Sequence, residues 1–371
     1  MIVDGMQVEV SPDGEIWTMP EDRFPWRERK VRSIELAKLY EKAGFTDYSL
    51  RVATCATSVT FGVVNGERKL QAVNFCHLRL CPMCISRRAR RAAYKLSKVL
   101  DMVEGEHKAK FIFLTLTMRN VVDGSKLGEA LEELTAAWDR FRRQRQLERS
   151  VKGWYRAIEI TRGDNRWHEN RKTGRKFYRE DKGYHPHIHA ILAVDQDYFS
   201  RESRQSGKYL NQSDLIERWQ KALRVDYMPS VRIQTTKAHG EKSACLAAAA
   251  EAAKYAVKDE EYIDQSLPEK RLVEILTDYT NALHRRRLTA FGGWMKDAAR
   301  KLDAEDLDDG DLVHADEDAI REDIAELIEV YNWHFGVGDY ILAKREINPF
   351  LVRRKENGKN DGSQENQPDA E

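Results

Sequence analysis

The chain has 371 residues, of which 41% are hydrophobic and 33% charged. That length can bury a substantial core spread over more than one structural unit. No apolar run is long enough to span a bilayer, and Met1-Ile2-Val3-Asp4 opens without the basic and apolar stretches of a secretory leader. The net charge of +1 hides an asymmetry: residues 301–371 hold 8 Lys/Arg against 20 Asp/Glu, a balance of −12, and the first 300 residues carry +13. A basic body with an acidic C-terminal portion suits a nucleic-acid binder with a solvating or self-masking tail. The expected location is the cytoplasm, with no membrane partner. Thiols stay reduced there, so the five cysteines point to metal ligation before disulfides.

Residues 1–50 read as an N-terminal arm, irregular around Pro20, Pro25 and Trp26, with a short helix over Ser33–Ala43. Thr57–Val64 and Lys69–Phe75 are strand-like, and Asn65-Gly66 between them favours a tight hairpin turn because both residues tolerate positive φ. Cysteines flank this hairpin, which is assigned to a unit over 51–90, and a basic helix follows over Ser86–Val103. Phe111–Thr117 is apolar and β-prone. Leu127, Leu131, Leu134, Trp138 and Phe141 recur at helical spacing and predict an amphipathic helix. Val151–Thr161 reads as a strand, Gly163–Lys182 as a polar and basic hairpin tip or loop, and the histidine-rich segment running into Ala190–Val194 as a central strand. Leu215, Ile216, Trp219 and Leu223 mark another helix, Ser230–Gln234 a strand, and Ala244–Val257 a helix.

Strand, helix, strand, strand, helix, strand, helix across 111–257 predicts an α+β fold with an antiparallel sheet covered by helices. A split βαβ, or ferredoxin-like, palm is the simplest such arrangement, assigned here to 91–265. Residues 266–345 are expected to form a helical C-terminal region with an acidic segment and a helix over Ile320–Tyr331, and 346–371 a disordered tail.

Three clusters carry chemistry. In His185-Pro186-His187-Ile188-His189 a strand turns alternate side chains to one face, so the three imidazoles project together and can hold a divalent metal. The plainer reading is a polar strand face whose histidines satisfy backbone or carboxylate partners. Imidazoles accept Mn²⁺ and other first-row ions readily, whereas Mg²⁺ prefers oxygen ligands and water. Two histidines do not fill a coordination sphere. The third protein ligand is His185 or a carboxylate elsewhere, and His185 is equally open as a supporting group.

Glu251 and Tyr255 stand four apart, on one face of their helix. A carboxylate there can take a proton from tyrosine or from water. The spacing alone is common, and a buried, hydrogen-bonded tyrosine is the plainer reading. Lys254 and Lys258 flank the pair, placed to neutralise the carboxylate, contact phosphate or lower the tyrosine pKa. The third cluster is Cys76, then Cys81-Pro82-Met83-Cys84, a spacing that resembles a zinc knuckle, with Cys55 able to supply a fourth thiolate to a structural Zn²⁺. Ordinary reduced thiols and a redox pair are the alternatives, and Pro82 with the third cysteine favours zinc. Cys245 has no partner by spacing and reads as a buried small residue. Arg87, Arg88, Arg90, Arg91, Lys95 and Lys98 follow the knuckle directly, and the Arg140–Arg149 run and the 163–182 loop add further positive charge. A solubilising face and phosphate contact with DNA are both open, and proximity to the knuckle favours DNA.

Together these segments resemble the Rep initiators of small bacterial rolling-circle plasmids, within the HUH endonuclease class. The resemblance is carried by Asn74–Cys84, Phe113–Asn120, His185–His189 and Glu251–Lys258, and it covers most of residues 50–345. It implies a palm with a five-stranded antiparallel sheet, the histidine motif on a central strand and the tyrosine on a helix packed against it. It also implies Tyr255 as nucleophile, Glu251 as catalytic glutamate, and His187 and His189 as ligands of Mn²⁺ or Mg²⁺. One tyrosine with a glutamate matches the single-tyrosine branch. The implied activity is nicking of a plasmid double-strand origin through a 5′-phosphotyrosine link, with the nick site exposed as single strand or hairpin, and with host helicase and DNA polymerase as partners. The competing expectations are an HUH transposase or relaxase, and a zinc-binding DNA regulator without catalysis.

Overall fold

The computed structural model describes residues 2–3, 6–7, 9, 16–20, 24–163, 165–169, 174–235, 257–264, 266–307, 310–314 and 325–349. Helix α1 spans Trp26–Lys42. It therefore begins ahead of the expected Ser33 start, and the arm is helical from Trp26 on. Pro25 precedes its first turn, where a missing N–H costs nothing, and Trp26 packs edge-on against Phe61 and Tyr340. Helix α2 covers Thr46–Thr54. Strands β1 (Ser58–Val64) and β2 (Glu67–Val73) then form a hairpin about Asn65-Gly66, whose φ values of 49° and 78° match the turn that follows strand twist.

Helix α3 runs Pro82–His107, with Cys81 before its first turn. After it come β3 (Lys110–Thr117), α4 (Leu127–Arg142), β4 (Val151–Arg162), β5 (Tyr184–Val194), α5 (Gln212–Leu223), β6 (Val231–Thr235), α6 (Glu269–Leu283), β7 (Thr289–Gly293) and α7 (Trp294–Lys301). The five strands make one antiparallel sheet in the order β6-β3-β5-β4-β7. Alternation along the strands gives each face its own core. Ile188, Ala190, Leu192 and Val194 belong to a cluster with Leu131, Leu134, Trp138 and Phe141 of α4 and with side chains of α5 and α6. Ile191 and Ala193, with Phe111, Tyr155 and Ala157, pack with Leu96, Val99, Leu100 and Val103 of α3 and Met295, Ala298 and Ala299 of α7. Along β5 this second face continues from Ala193 and Ile191 into His189, His187 and His185.

Two expectations for the C-terminal region are corrected. Where a helix was expected over Ile320–Tyr331, the described part is strand β8 (Leu327–His334), which pairs with β9 (Asp339–Ile347); residues 320–324 lie outside the described residues. The period is two: Glu329, Tyr331 and Trp333 are buried while Val330 and Asn332 are half-buried. A buried glutamate disguises this pattern in the sequence. Arg68 and Arg345 neutralise it at 2.6 and 2.8 Å. The stretch 266–300 is also not continuously helical, because β7 interrupts it along the edge of β4. The C-terminal region is thus mixed. Its strands β8 and β9 join the hairpin in a four-stranded sheet ordered β9-β8-β1-β2, and the cut placed at residue 90 falls inside α3.

The arginines of α3 also depart from expectation. Arg87, Arg88 and Arg91 are buried. Arg87 donates to the Leu312 and Val313 carbonyls at 2.8 and 2.6 Å, Arg88 to those of Leu78 and His77, Arg91 to that of Asp306 at 3.0 Å, and Lys95 to that of Asp303. Arg87, Arg91 and Lys95 thus bind the irregular backbone of the acidic segment, and Arg88 that of the loop before α3, instead of facing solvent phosphate, because unpaired carbonyls under a helix need donors. Among the described residues no helix is long and apolar enough to cross a membrane. Replacing Arg87 by methionine is expected to lower stability by about 2–3 kcal/mol in chemical denaturation. Any affinity for DNA should keep its salt dependence in that variant, and a weakened salt slope would restore the expected phosphate-contact role.

Candidate metal centres

The register of β4 against β5 places Glu159 directly opposite His187, with His189 two residues along opposite Ala157. Side chains in register share a face, so the carboxylate meets both imidazoles. Glu159 Oε2 lies 2.7 Å from His189 Nε2 and 3.2 Å from His187 Nε2, and the two Nε2 atoms are 3.2 Å apart. All three ligand atoms fall within 4.8 Å of one another. Burial opposes ionisation of Glu159, but hydrogen bonds and charge from His187 and His189 prevail and hold its carboxyl well below the usual carboxylate range.

Surrounding groups orient the rings. His187 Nδ1 donates to the His185 carbonyl at 3.0 Å, which fixes the ring with Nε2 turned toward Glu159 and His189. His189 Nδ1 stands 3.4 Å from Thr115 Oγ1, on the other neighbouring strand. One carboxylate oxygen and two imidazole nitrogens form a donor set suited to a first-row divalent ion, and three protein ligands leave coordination positions for water or a phosphate oxygen. His185 lies outside this trio. Its Nδ1 is 2.7 Å from Asn120 Oδ1, and burial, then proximity to His187, disfavour its protonation.

Glu159 was missed as a named residue in the sequence, where the third ligand was left as His185 or an unidentified carboxylate. A signal existed: an acidic residue between Ile158 and Ile160, in a strand with no reason to carry charge unless the charge is paired.

The second centre is the cysteine cluster. Sγ atoms of Cys55, Cys76, Cys81 and Cys84 lie within 4.8 Å of one another. Cys84 is 3.7 Å from both Cys55 and Cys76. The Cys76 N–H donates to Cys55 Sγ at 3.3 Å, the kind of bond that supports a thiolate. Three of the thiols differ in acidity. Burial opposes ionisation of Cys81, but hydrogen bonds from the other three hold its thiol well below the ordinary value, while the Cys55 and Cys84 thiols are pushed up. Fully buried Lys30 donates to the Ala53 and Cys55 carbonyls at 2.7 and 2.6 Å. Its pKa is lowered by burial to about 8, against the pull of the thiolates. Four convergent sulfurs and an adjacent cation fit a closed tetrathiolate site for zinc.

Tyr255, Glu251, Lys254 and Cys245 lie outside the described residues. The chain that follows is described. Val257 is buried in the core, Lys258 begins the short turn Asp259–Glu261, and Asp259 takes Arg29 and Arg32 at 3.0 and 2.6 Å. The Tyr262 hydroxyl donates to the Leu80 carbonyl at 2.5 Å, within the knuckle loop. The segment leaving the tyrosine motif is thereby moored beside the cysteine cluster.

A site of this kind, two histidines on the central strand of an antiparallel sheet facing a carboxylate on the neighbouring strand, in a chain that also carries a cysteine cluster, accompanies a clear family relationship. The chain belongs to the replication protein family, which matches residues 67–341. It is 32% identical over 323 residues to a "Protein rep" of Lactiplantibacillus plantarum, covering 86% of this chain and 95% of that one. It is likewise 32% identical over 298 residues to a "Protein rep" of Streptococcus pneumoniae, covering 79% and 84%. A "Protein rep" of Bacillus amyloliquefaciens is 30% identical over 344 residues, covering 85% and 93%. No solved structure matches the chain.

Elemental analysis of purified protein is expected to find about one tightly held zinc per chain, and Cys76→Ser or Cys81→Ser should lose most of it. A full zinc complement in both variants would reject the cluster as the site. Glu159→Ala should weaken Mn²⁺ binding by roughly 10- to 100-fold in calorimetric titration without altering zinc content, a loss on the scale of removing a ligand or its support.

Proposed function

We propose that this protein is a plasmid rolling-circle replication initiator of the HUH class, a metal-dependent, site-specific DNA endonuclease and strand transferase. The reading rests above all on the convergence of Glu159 with His187 and His189 on the central strand, in a chain of the replication protein family. The connectivity supports it. From β3 to β6 the chain runs β-α-β-β-α-β, and these strands lie side by side in the order 4-1-3-2, the arrangement of a ferredoxin-like palm.

Glu159, His187 and His189 would hold Mn²⁺ or Mg²⁺. That ion, when bound, supplies Lewis-acid polarisation of the scissile phosphate. Tyr255 is the nucleophile. Its phenol loses a proton, its oxygen attacks phosphorus, and the bond to the 3′ oxygen breaks. The products are a 5′-phosphate esterified to Tyr255 and a free 3′-OH, which primes synthesis. The phosphodiester energy is kept in the new ester, so no nucleotide cofactor is required. Glu251, one helical turn before Tyr255, takes a proton from water for the second cleavage that ends the round. Cys55, Cys76, Cys81 and Cys84 hold a structural zinc. Plasmid origin DNA is the substrate, host helicase and DNA polymerase are the partners, and the cytoplasm is the compartment.

Supercoiled plasmid carrying the cognate origin, incubated with protein and Mn²⁺ or Mg²⁺, should yield nicked circles with protein linked to the mapped 5′ end. Tyr255→Phe should give no adduct on a denaturing gel, and an adduct of wild-type yield would overturn the assignment. Glu251→Ala should still form the adduct while reducing closed single-stranded circles several-fold.

A further inference from the structure

Strands β4 and β5 carry the three candidate metal ligands, and both continue past their last paired residues, Arg162 and Tyr184, into a projecting hairpin. Arg166–Glu169 pairs there with Lys176–Arg179. The neck is tightly built. Gly183 has φ +84°, and a Cβ there would collide with the Val121 carbonyl, whose strand-like bridge to Tyr184 closes the base. Asn165 donates its N–H to the Arg179 carbonyl at 2.8 Å and accepts from the Asp181 N–H at 2.8 Å.

The two faces of this hairpin differ. Arg166 and Arg179 stand opposite one another in register, and both are pinned to the moored segment after the tyrosine motif: Arg166 to Asp264 at 2.5 and 2.7 Å, Arg179 to Glu261 at 3.2 Å. The next pair, Trp167 and Tyr178, must point to the opposite face. Their rings are 5.7 Å apart, and Trp167 is 71% exposed and Tyr178 48% exposed. An indole so exposed on a structure held by ion pairs on its other side gains nothing for the fold. Exposed Arg175 and Lys176 adjoin the pair, and residues 163–182 hold seven Lys/Arg against four Asp/Glu.

We propose that Trp167 and Tyr178 form a stacking platform for unpaired bases of the DNA strand that enters the metal site, with Arg175 and Lys176 tracking its phosphates. Aromatic faces beside cations bind single-stranded nucleic acid, since every unpaired base offers a π-face that a duplex conceals. The placement rests on the function proposed above, in which the strand attacked at Glu159, His187 and His189 must be unpaired. At about 3.3 Å per residue the eight positions from Glu159 to Trp167 span at most roughly 26 Å. That is roughly eight stacked nucleotides at about 3.4 Å each, so the platform grips DNA within that distance of the nick.

The test titrates the full chain and a Trp167→Ala/Tyr178→Ala variant, without divalent metal, against labelled oligodeoxythymidylate of ~15 nucleotides and a duplex of equal length. The variant should bind the single strand roughly 10- to 100-fold more weakly and the duplex within about twofold of the parent, and Trp167→Phe/Tyr178→Phe should retain most of the single-strand affinity. Equal losses on both probes, or no loss on either, would overturn the proposal. So would a change in sedimentation of the alanine variant with oligonucleotide affinity intact, which would make the face a contact between two copies of the chain. The probe contains no nick site, so this result is independent of Tyr255. Selective loss of single-strand binding in a protein that never nicks its origin would keep the platform and remove the proposed reaction.

Discussion

The pairing register between β4 and β5 is the constraint on which the site depends. Side chains alternate across a sheet, so a slip of one residue would send Glu159 to the face occupied by Ile158 and Ile160 and leave the imidazoles without their carboxylate. Apolar alternation holds the register: Ile158, Ile160, Ile188, Ala190 and Leu192 fill one core, while Tyr155, Ala157, Ile191 and Ala193 fill the other. The trio of Glu159, His187 and His189 occupies the point where the second core ends. A buried carboxylate is costly without partners, and here the partners are the two histidines themselves, so the same arrangement that satisfies Glu159 also assembles the donor set.

Helix α3 ties this sheet to the rest of the molecule. Its first turn contains Cys84 and follows Cys81, so the cysteine cluster fixes where the helix starts and in which direction it leaves. Its apolar side then covers the face of the sheet that bears the histidines, and its Arg87, Arg91 and Lys95 donate to the carbonyls of Leu312, Val313, Asp306 and Asp303. Tyr262 reaches back to the Leu80 carbonyl. The cysteine cluster is thus joined by one helix to the sheet face that bears the histidines, and by one buried hydrogen bond to the segment that follows residue 256.

Much of this was legible from the sequence because it rests on local periodicity. The β1–β2 turn at Asn65-Gly66, the helical spacing of Leu127 to Phe141, the strands on either side of the histidines and the grouping of the four cysteines all follow from short-range patterns. What escaped was non-local. Glu159 acquires meaning only through its register partner 28 positions away. Glu329 reads as a helix residue until Arg68, far earlier in the chain, neutralises it inside a sheet. The arginines after Cys84 look like a DNA-facing stripe, and their burial becomes visible only once the acidic segment folds across them. Charge in a sequence does not reveal whether its counterpart is solvent, nucleic acid or the chain's own backbone.

Strand β8 occupies the middle of its sheet, between β1 and β9, and Leu327 pairs with Val63. During translation the hairpin that carries Val59 and Phe61 therefore waits for a neighbour made more than two hundred residues later, and its edge stays open until Leu327–Asn332 has left the ribosome. A prematurely terminated product would carry the histidines and the tyrosine but not the strand that closes the knuckle's sheet. The architecture makes closure of this sheet contingent on synthesis through β9, which ends at Ile347.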